Sequence, residues 1–216
     1  MQNQNGTDKD DIGSSRVSSF LRSSTLHYLI MGGVGGLVAH FQHKLLIRAF
    51  TWPADWHLGL RLLGIGLIGA AVLLIFNYVF EEQFPSFKAF RHILMQMIGA
   101  ASIPASLYLA VISSLGEELL FRGAIQPELG ILGTAVLFGL LHLGPQGLMS
   151  IWTLWAVLSS LLFGWMFQST GSLIPVIVCH VAVNMVSMLR LRVQYRHFLE
   201  AAAKHEAAKK LLSGSH

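Results

Sequence analysis

The sequence is short of charge. Only 12% of its 216 residues are Asp, Glu, Lys or Arg, about half the roughly 25% of a soluble domain. With 53% hydrophobic residues and a mean hydropathy of +0.58, this excludes an ordinary soluble domain and points to an integral membrane protein. Cysteine occurs once, at Cys179, so no intrachain disulfide can form and the redox compartment is unread. Repeats and low-complexity tracts are missing. Residues 1–24 are not expected to act as a secretory signal, because the first apolar run begins late and no small-residue cleavage pattern closes a short core.

What is present reads as an all-α, polytopic transmembrane helix bundle. About six candidate spans cover 26–43, 58–80, 100–126, 130–144, 148–168 and 172–191. The first is glycine-rich, and Gly32 and Gly36 form a small-xxx-small face for close helix contact. Segment 84–98 mixes aromatics with Lys88, Arg91 and His92, which predicts an interfacial amphipathic stretch. Residues 1–24 are polar and predicted to be disordered. Residues 25–196 form the membrane domain, and 197–216 predict a cytoplasmic helical tail with a Glu200–Lys204 pair.

Orientation follows the basic residues. Arg190, Arg192, Arg196, Lys204, Lys209 and Lys210 crowd the far side of the last span and place the C-terminus in the cytoplasm. An even number of spans returns the N-terminus to that side, where Arg16 and Arg22 agree, as do Lys88 and Arg91; Lys44, Arg48 and Arg61 disagree. The expected location is the cell (inner) membrane.

Ionisable groups at membrane depth are costly and usually functional. Asp8, Asp10, Asp11 and Asp55 all lie outside the spans, which excludes a protease built on two intramembrane aspartates. HExxH and GxSxG are absent. Glu117, Glu118, Arg122, His142 and His180 remain. Glu118 and Arg122 are i,i+4 and can pair, while Glu117 is turned about 100° away and free for another task. His180 and Asn184 share a helix face, as do Phe138 and His142. Taking the turns near Pro127 and Gly171 as one membrane face puts Glu117 about 15 Å deep, His180 about 13 Å, Asn184 about 19 Å and His142 about 22 Å. Side chains from three helices thus fall in one layer. Cys179 points about 100° away from His180, against a Cys–His dyad. His27, His40, His43, His57, His92, His197 and His205 sit at span ends or outside and are expected to be solvated; Trp152, Trp155 and Trp165 fit interface belts or packing.

Three ordered motifs carry a resemblance: EExxxR at Glu117–Arg122, FxxxH at Phe138–His142 and HxxxN at His180–Asn184. In these the chain resembles the CPBP family of intramembrane glutamic endopeptidases, the CAAX prenyl protease type II and Abi-like proteins. The resemblance implies an intramembrane endopeptidase that hydrolyses a peptide bond of a membrane-associated protein or peptide. It implies that Glu117 and His142 polarise a water, that His180 and Asn184 stabilise the oxyanion, and that Glu118, Arg122 and Phe138 support them. No cofactor is expected. Two alternatives stay open: a zinc metalloprotease with Glu117, His142 and His180 as ligands, and a non-catalytic bacteriocin-immunity or proton-coupled membrane protein. The expected partners are the bilayer and the peptide substrate, with no nucleic acid.

Overall fold

The structure is a computed structural model that describes residues 4–42, 50–143 and 150–213. The side chains of 4–16, 212 and 213 are not described, so Asp8, Asp10, Asp11 and Arg16 carry no side-chain account, and His43, Lys44 and Arg48 lie outside the described residues. Among the described residues there are helices and no strands. They are α1 (Gln4–Phe41), α2 (Trp56–Gln83), α3 (Pro85–Ile98), α4 (Ile103–Glu118), a π-helical segment (Leu119–Ile125), α5 (Gln126–Leu141), α6 (Ile151–Thr170) and α7 (Ile174–Ser213).

Local chemistry sets the boundaries. Asp55 caps α2 by accepting from the His57 N–H at 2.9 Å, and Ser150 caps α6 by accepting from the Trp152 N–H at 3.2 Å. Pro85 and Pro104 stand in the first turns of α3 and α4, where a missing N–H costs nothing. α6 stops at Gly171, whose left-handed φ of 65° lets its N–H reach the Phe167 carbonyl at 2.8 Å.

Among the described residues four stretches are long and apolar enough to cross a membrane: Trp56–Gln83, Ile103–Leu141, Ile151–Thr170 and Ile174–Leu211. Two of the predicted spans share the second of these and are divided inside it at Gly130. There the backbone takes φ 68° and ψ −179°, a conformation open essentially only to glycine. The chain folds back at this point. Glu117 and Gly130 are thirteen residues apart and Gly130 and His142 twelve, so two arms of about 20 Å and 18 Å bring His142 level with Glu117. The reversal therefore sits at Gly130, three residues past the turn placed near Pro127 from sequence; Pro127 is in the first turn of α5.

α1 starts at Gln4, well before the apolar run, although composition suggests disorder over 1–24. No proline interrupts the chain before Pro53, so a helix started in the apolar half can extend backwards. Leu26, Leu29, Ile30, Val34, Leu37 and Phe41 of α1 are exposed, yet α1, which holds the first predicted span, is not among the four stretches long and apolar enough to cross. Its glycine face is not the one spacing suggests. A Cβ on Gly35 would stand 2.6 Å from the backbone of Leu119 and Leu120, and one on Gly32 would stand 3.4 Å from Gly116 Cα, whereas one on Gly36 would meet nothing within 4 Å among the described residues. Gly32 and Gly35 therefore set α1 against α4 and the π segment.

α3 buries Phe87, Arg91 and Met95 along one face and packs on α2, α6 and α7, as an amphipathic interfacial helix would. Arg91, which sequence reading counted with Lys88 as an orienting surface charge, is turned inward against Glu81. α7 runs unbroken into the tail, where Glu200 pairs with His197 at 3.7 Å rather than with Lys204. An apolar core of Ala70, Leu73, Phe87, Trp155, Phe163, Met166, Val176, Cys179 and Val183 joins α2, α3, α6 and α7. Trp155 is thus a core residue, while Trp165 is exposed. The described histidines at span ends, His27, His40, His57, His92, His197 and His205, are all exposed.

Candidate active site

Three polypeptide segments meet at Glu117. The first is the junction of α4 with the π segment. Its i→i+5 turn widens the helix just after the paired glutamates, and such widened turns are frequent at functional sites. The second is the end of α5, where His142 is the capping residue with φ −112° and ψ 44°. The third is the first half of α7 with His180 and Asn184.

Glu117 is 6% exposed, and among the described residues no group hydrogen-bonds its Oε2. Two imidazole nitrogens face that oxygen: His142 Nε2 at 3.9 Å and His180 Nε2 at 3.8 Å. Both gaps exceed a direct hydrogen bond. A small molecule set to one side could touch the carboxylate and either ring at once.

Each ring is held from behind by its other nitrogen. His142 Nδ1 lies 2.8 Å from the Phe138 carbonyl, which can only accept, so Nδ1 carries the proton. His180 Nδ1 lies 2.7 Å from Glu118 Oε1, again an acceptor, which fixes the same tautomer. Stacking completes the clamps, with Phe138 on His142 at 4.2 Å and Phe163 on His180 at 4.8 Å between centroids. The FxxxH spacing thus has two physical uses here: a ring to stack on and a carbonyl to set the tautomer.

Glu118 and Arg122 are both fully buried. Arg122 Nε stands 3.1 Å from Glu118 Oε2, and its Nη1 donates to Oε1 at 3.4 Å. Its Nη2 donates to Ser160 Oγ at 2.8 Å and to the Ser160 carbonyl at 3.1 Å. The guanidinium also lies against the rings of Phe138, Phe163 and Phe121, at 5.3, 5.2 and 5.9 Å. Arg122 therefore pins α6 to the π segment. Its partner Glu118 is shared with His180, so the ion pair and the imidazole clamp are one network.

Asn184 joins less directly. It lies one turn beyond His180, and its Nδ2 donates to Ser113 Oγ at 3.2 Å. Ser113 is one turn before Glu117, so the bond ties α7 to α4 beside the carboxylate. Ser113 and Ser160 were not identified as site residues from sequence. For Ser113 the signal was its i,i+4 offset from Glu117. Ser160 had none, since a serine on an apolar helix is ordinary helix contact. Cys179 is buried in the apolar core, away from this chemistry. Among the described residues no group of three His, Cys, Asp or Glu side chains is arranged to hold a metal ion.

Residues 99–186 match the family model described as type II CAAX prenyl endopeptidase, Rce1-like. All three motifs lie inside that match, and the family is the one they resemble. The Bacillus subtilis (strain 168) protein YpbD, described as uncharacterized, is 25% identical over 139 residues, which cover 63% of this chain and 72% of YpbD. No solved structure matches. The chain thus reads as an integral membrane protein whose residues 99–186 are similar to type II CAAX prenyl endopeptidases.

Proposed function

We propose that the chain is a metal-free intramembrane endopeptidase and that Glu117 is its general base. The observation that carries this reading is the buried Glu117 oxygen with no hydrogen-bond partner among the described residues, faced by two imidazole nitrogens at 3.8–3.9 Å. Buried carboxylates without partners are rare and call for a use. Here the use is to take a proton from a water that His142 helps to position. The deprotonated water attacks the scissile carbonyl, and the bond from carbon to the leaving nitrogen breaks as Glu117 returns the proton to the amine.

His180 and Asn184 face the developing oxyanion in this reading. With Nδ1–H given to Glu118, His180 can donate through Nε2 only as an imidazolium. The carboxylates of Glu117 and Glu118 stand at its two nitrogens as counter-ions. Asn184 has to release Ser113 to take part, or act by holding Ser113 and α4 in place. Glu118, Arg122 and Phe138 orient the rings. The substrate class is a membrane-associated protein or peptide; a prenylated CAAX chain is the substrate class of the matching family.

The test is cleavage of a tagged membrane-anchored peptide by the purified chain in detergent, after exhaustive chelation. Full activity after chelation is the expected result. Activity lost to the chelator and restored by zinc would make Glu117, His142 and His180 ligands instead. No cleavage of any anchored peptide under either condition would remove the enzyme reading in favour of a binding role.

A further inference from the structure

A buried hydroxyl stands beside the site without a partner. Ser159 of α6 is 6% exposed, and its Oγ makes no hydrogen bond among the described residues. A serine inside a helix and away from water commonly gives its proton to a carbonyl one turn back. Other buried hydroxyls of this bundle do so. Ser113 and Ser114 both donate to the Ala110 carbonyl, at 3.3 and 2.7 Å, and Thr170 donates to the Met166 carbonyl at 2.7 Å. Ser160, the next residue along α6, accepts from Arg122 at 2.8 Å. Ser159 does neither, so its proton is available to another group. Buried polar atoms left in this way call for a use.

Its place on α6 turns it towards α7. Residues four apart on a helix are rotated by only about 40°. Ser159 therefore stands between Trp155 and Phe163 on one face of α6. Phe163 stacks on His180 of α7 at 4.8 Å between centroids. Trp155 lines a cavity together with Asn184 of α7. Both aromatic rings belong to the apolar core that reaches Val176, Cys179 and Val183 of α7.

The turn at Gly171 sets the level. Phe163 is eight residues before it and His180 nine after it, about 12 Å and 14 Å along their helices, and these two are in contact. Ser159 is twelve before it and Asn184 thirteen after it, about 18 Å and 20 Å. Ser159 and Asn184 are thus level, one turn deeper than the stacked pair. Asn184 is already engaged, its Nδ2 donating to Ser113 Oγ at 3.2 Å.

We propose that Ser159 is a further oxyanion donor of this site, serving beside His180 while Asn184 stays on Ser113. The role rests on the peptidase reading. No base hydrogen-bonds Ser159 Oγ among the described residues, so the hydroxyl is not activated as a nucleophile. It contributes a hydrogen bond alone. The water's oxygen bonds to the scissile carbon and its proton goes to Glu117. Negative charge forms on the carbonyl oxygen, and the Ser159 O–H donates to that charge without losing its proton. The carbonyl double bond re-forms as the bond from carbon to nitrogen breaks. A hydroxyl unpaired in the resting protein costs stability there and gains a charge-assisted bond when the oxyanion develops. Such an interaction raises kcat more than it tightens substrate binding.

Rate and stability measured together test it. Ser159→Ala should lower kcat about 10²–10³-fold and leave KM unchanged. Its unfolding temperature in detergent should equal or exceed the parent's, because the substitution removes an unpaired buried hydroxyl. Ser160→Ala is the contrast, since it takes a hydrogen bond from Arg122 and should lower that temperature. Ser159→Thr keeps the hydroxyl and should recover most of the rate. A fall in kcat that goes with a lower unfolding temperature in Ser159→Ala would make the serine structural and overturn the donor. A Ser159→Thr chain as stable as the parent but as slow as Ser159→Ala would overturn it too. A parent chain that cuts no anchored peptide removes the reaction and this role with it. A parent that cuts, with Ser159→Ala cutting equally fast, removes this role and leaves the peptidase reading standing.

Discussion

At the residue scale the four groups of the proposed site should not fail alike. Glu117→Gln removes the proton acceptor, and His142→Ala removes the ring that holds the water; both should abolish cleavage. Asn184→Ala should leave a measurable rate, because a lost oxyanion donor costs about 10²–10³. Initial rates on one anchored peptide, with each variant's unfolding temperature as the folding control, distinguish the outcomes. A Glu117→Gln chain that still cuts would transfer the role of base to another group. Arg122 predicts a different signature. Arg122→Ala strands Glu118 in a fully buried position, and breaking a buried pair from one side costs about 3–5 kcal/mol. Its unfolding in detergent should shift accordingly, before any question of rate.

Much of this scale was legible. The i,i+4 offsets already paired Glu118 with Arg122 and left Glu117 apart, because a helix fixes which side chains share a face. The double role of His180 was not legible. A carboxylate has two oxygens and about four lone-pair directions, so pairing Glu118 with Arg122 never used it up. Offsets along one helix also say nothing about a partner arriving from α7.

At the scale of elements, close backbone approach decides the geometry. α1 lies against α4 and the π segment through Gly32, Gly35 and Gly116, and a Cβ on Gly116 would stand 2.6 Å from the Tyr28 carbonyl oxygen. Gly35→Ala must push α1 away from Leu119–Leu120, an overpacking worth about 1–3 kcal/mol. Gly36→Ala meets nothing and is the matched control. The expected result is a lower unfolding temperature and slower cleavage for the first and neither for the second. Equal effects would show that α1 is held by its apolar side chains alone. Spacing pointed to Gly32 and Gly36 because it cannot tell which of several adjacent glycines faces a neighbour. Gly130 is a related case. Pro127 looked like the turn, yet proline is welcome in a first helical turn, and the reversal belongs to the residue that can take φ 68°. Gly130→Ala should cost about 1–3 kcal/mol and, by opening the arm that ends at His142, should reduce cleavage more than the stability loss alone explains.

At the scale of the whole molecule the remaining question is which way the site faces. α7 has 40 residues, about 60 Å of helix against about 30 Å of hydrocarbon. Only about half of it can be immersed. Its immersed half holds His180 and Asn184; the remainder carries Arg192, Arg196, Lys204, Lys209 and Lys210, with residues 196–211 exposed. An excess of Lys and Arg just beyond a span favours the cytoplasmic side. The loop between α1 and α2 held the contrary charges. Lys44 and Arg48 lie outside the described residues, and Arg61, now on α2, is exposed. With the reversal at Gly130 dividing one apolar stretch in two, α1 again decides whether the N-terminus shares the C-terminal side. A fluorescent protein fused after His216 and expressed in bacteria should therefore fluoresce, and an alkaline phosphatase fused there should be inactive. The same pair fused before Met1 should behave alike if α1 spans, and opposite if α1 only lies along the bundle. An active phosphatase at the C-terminus would invert the molecule. The proposed site would then be reached from the other side of the membrane, and its substrates would have to be sought among exported chains.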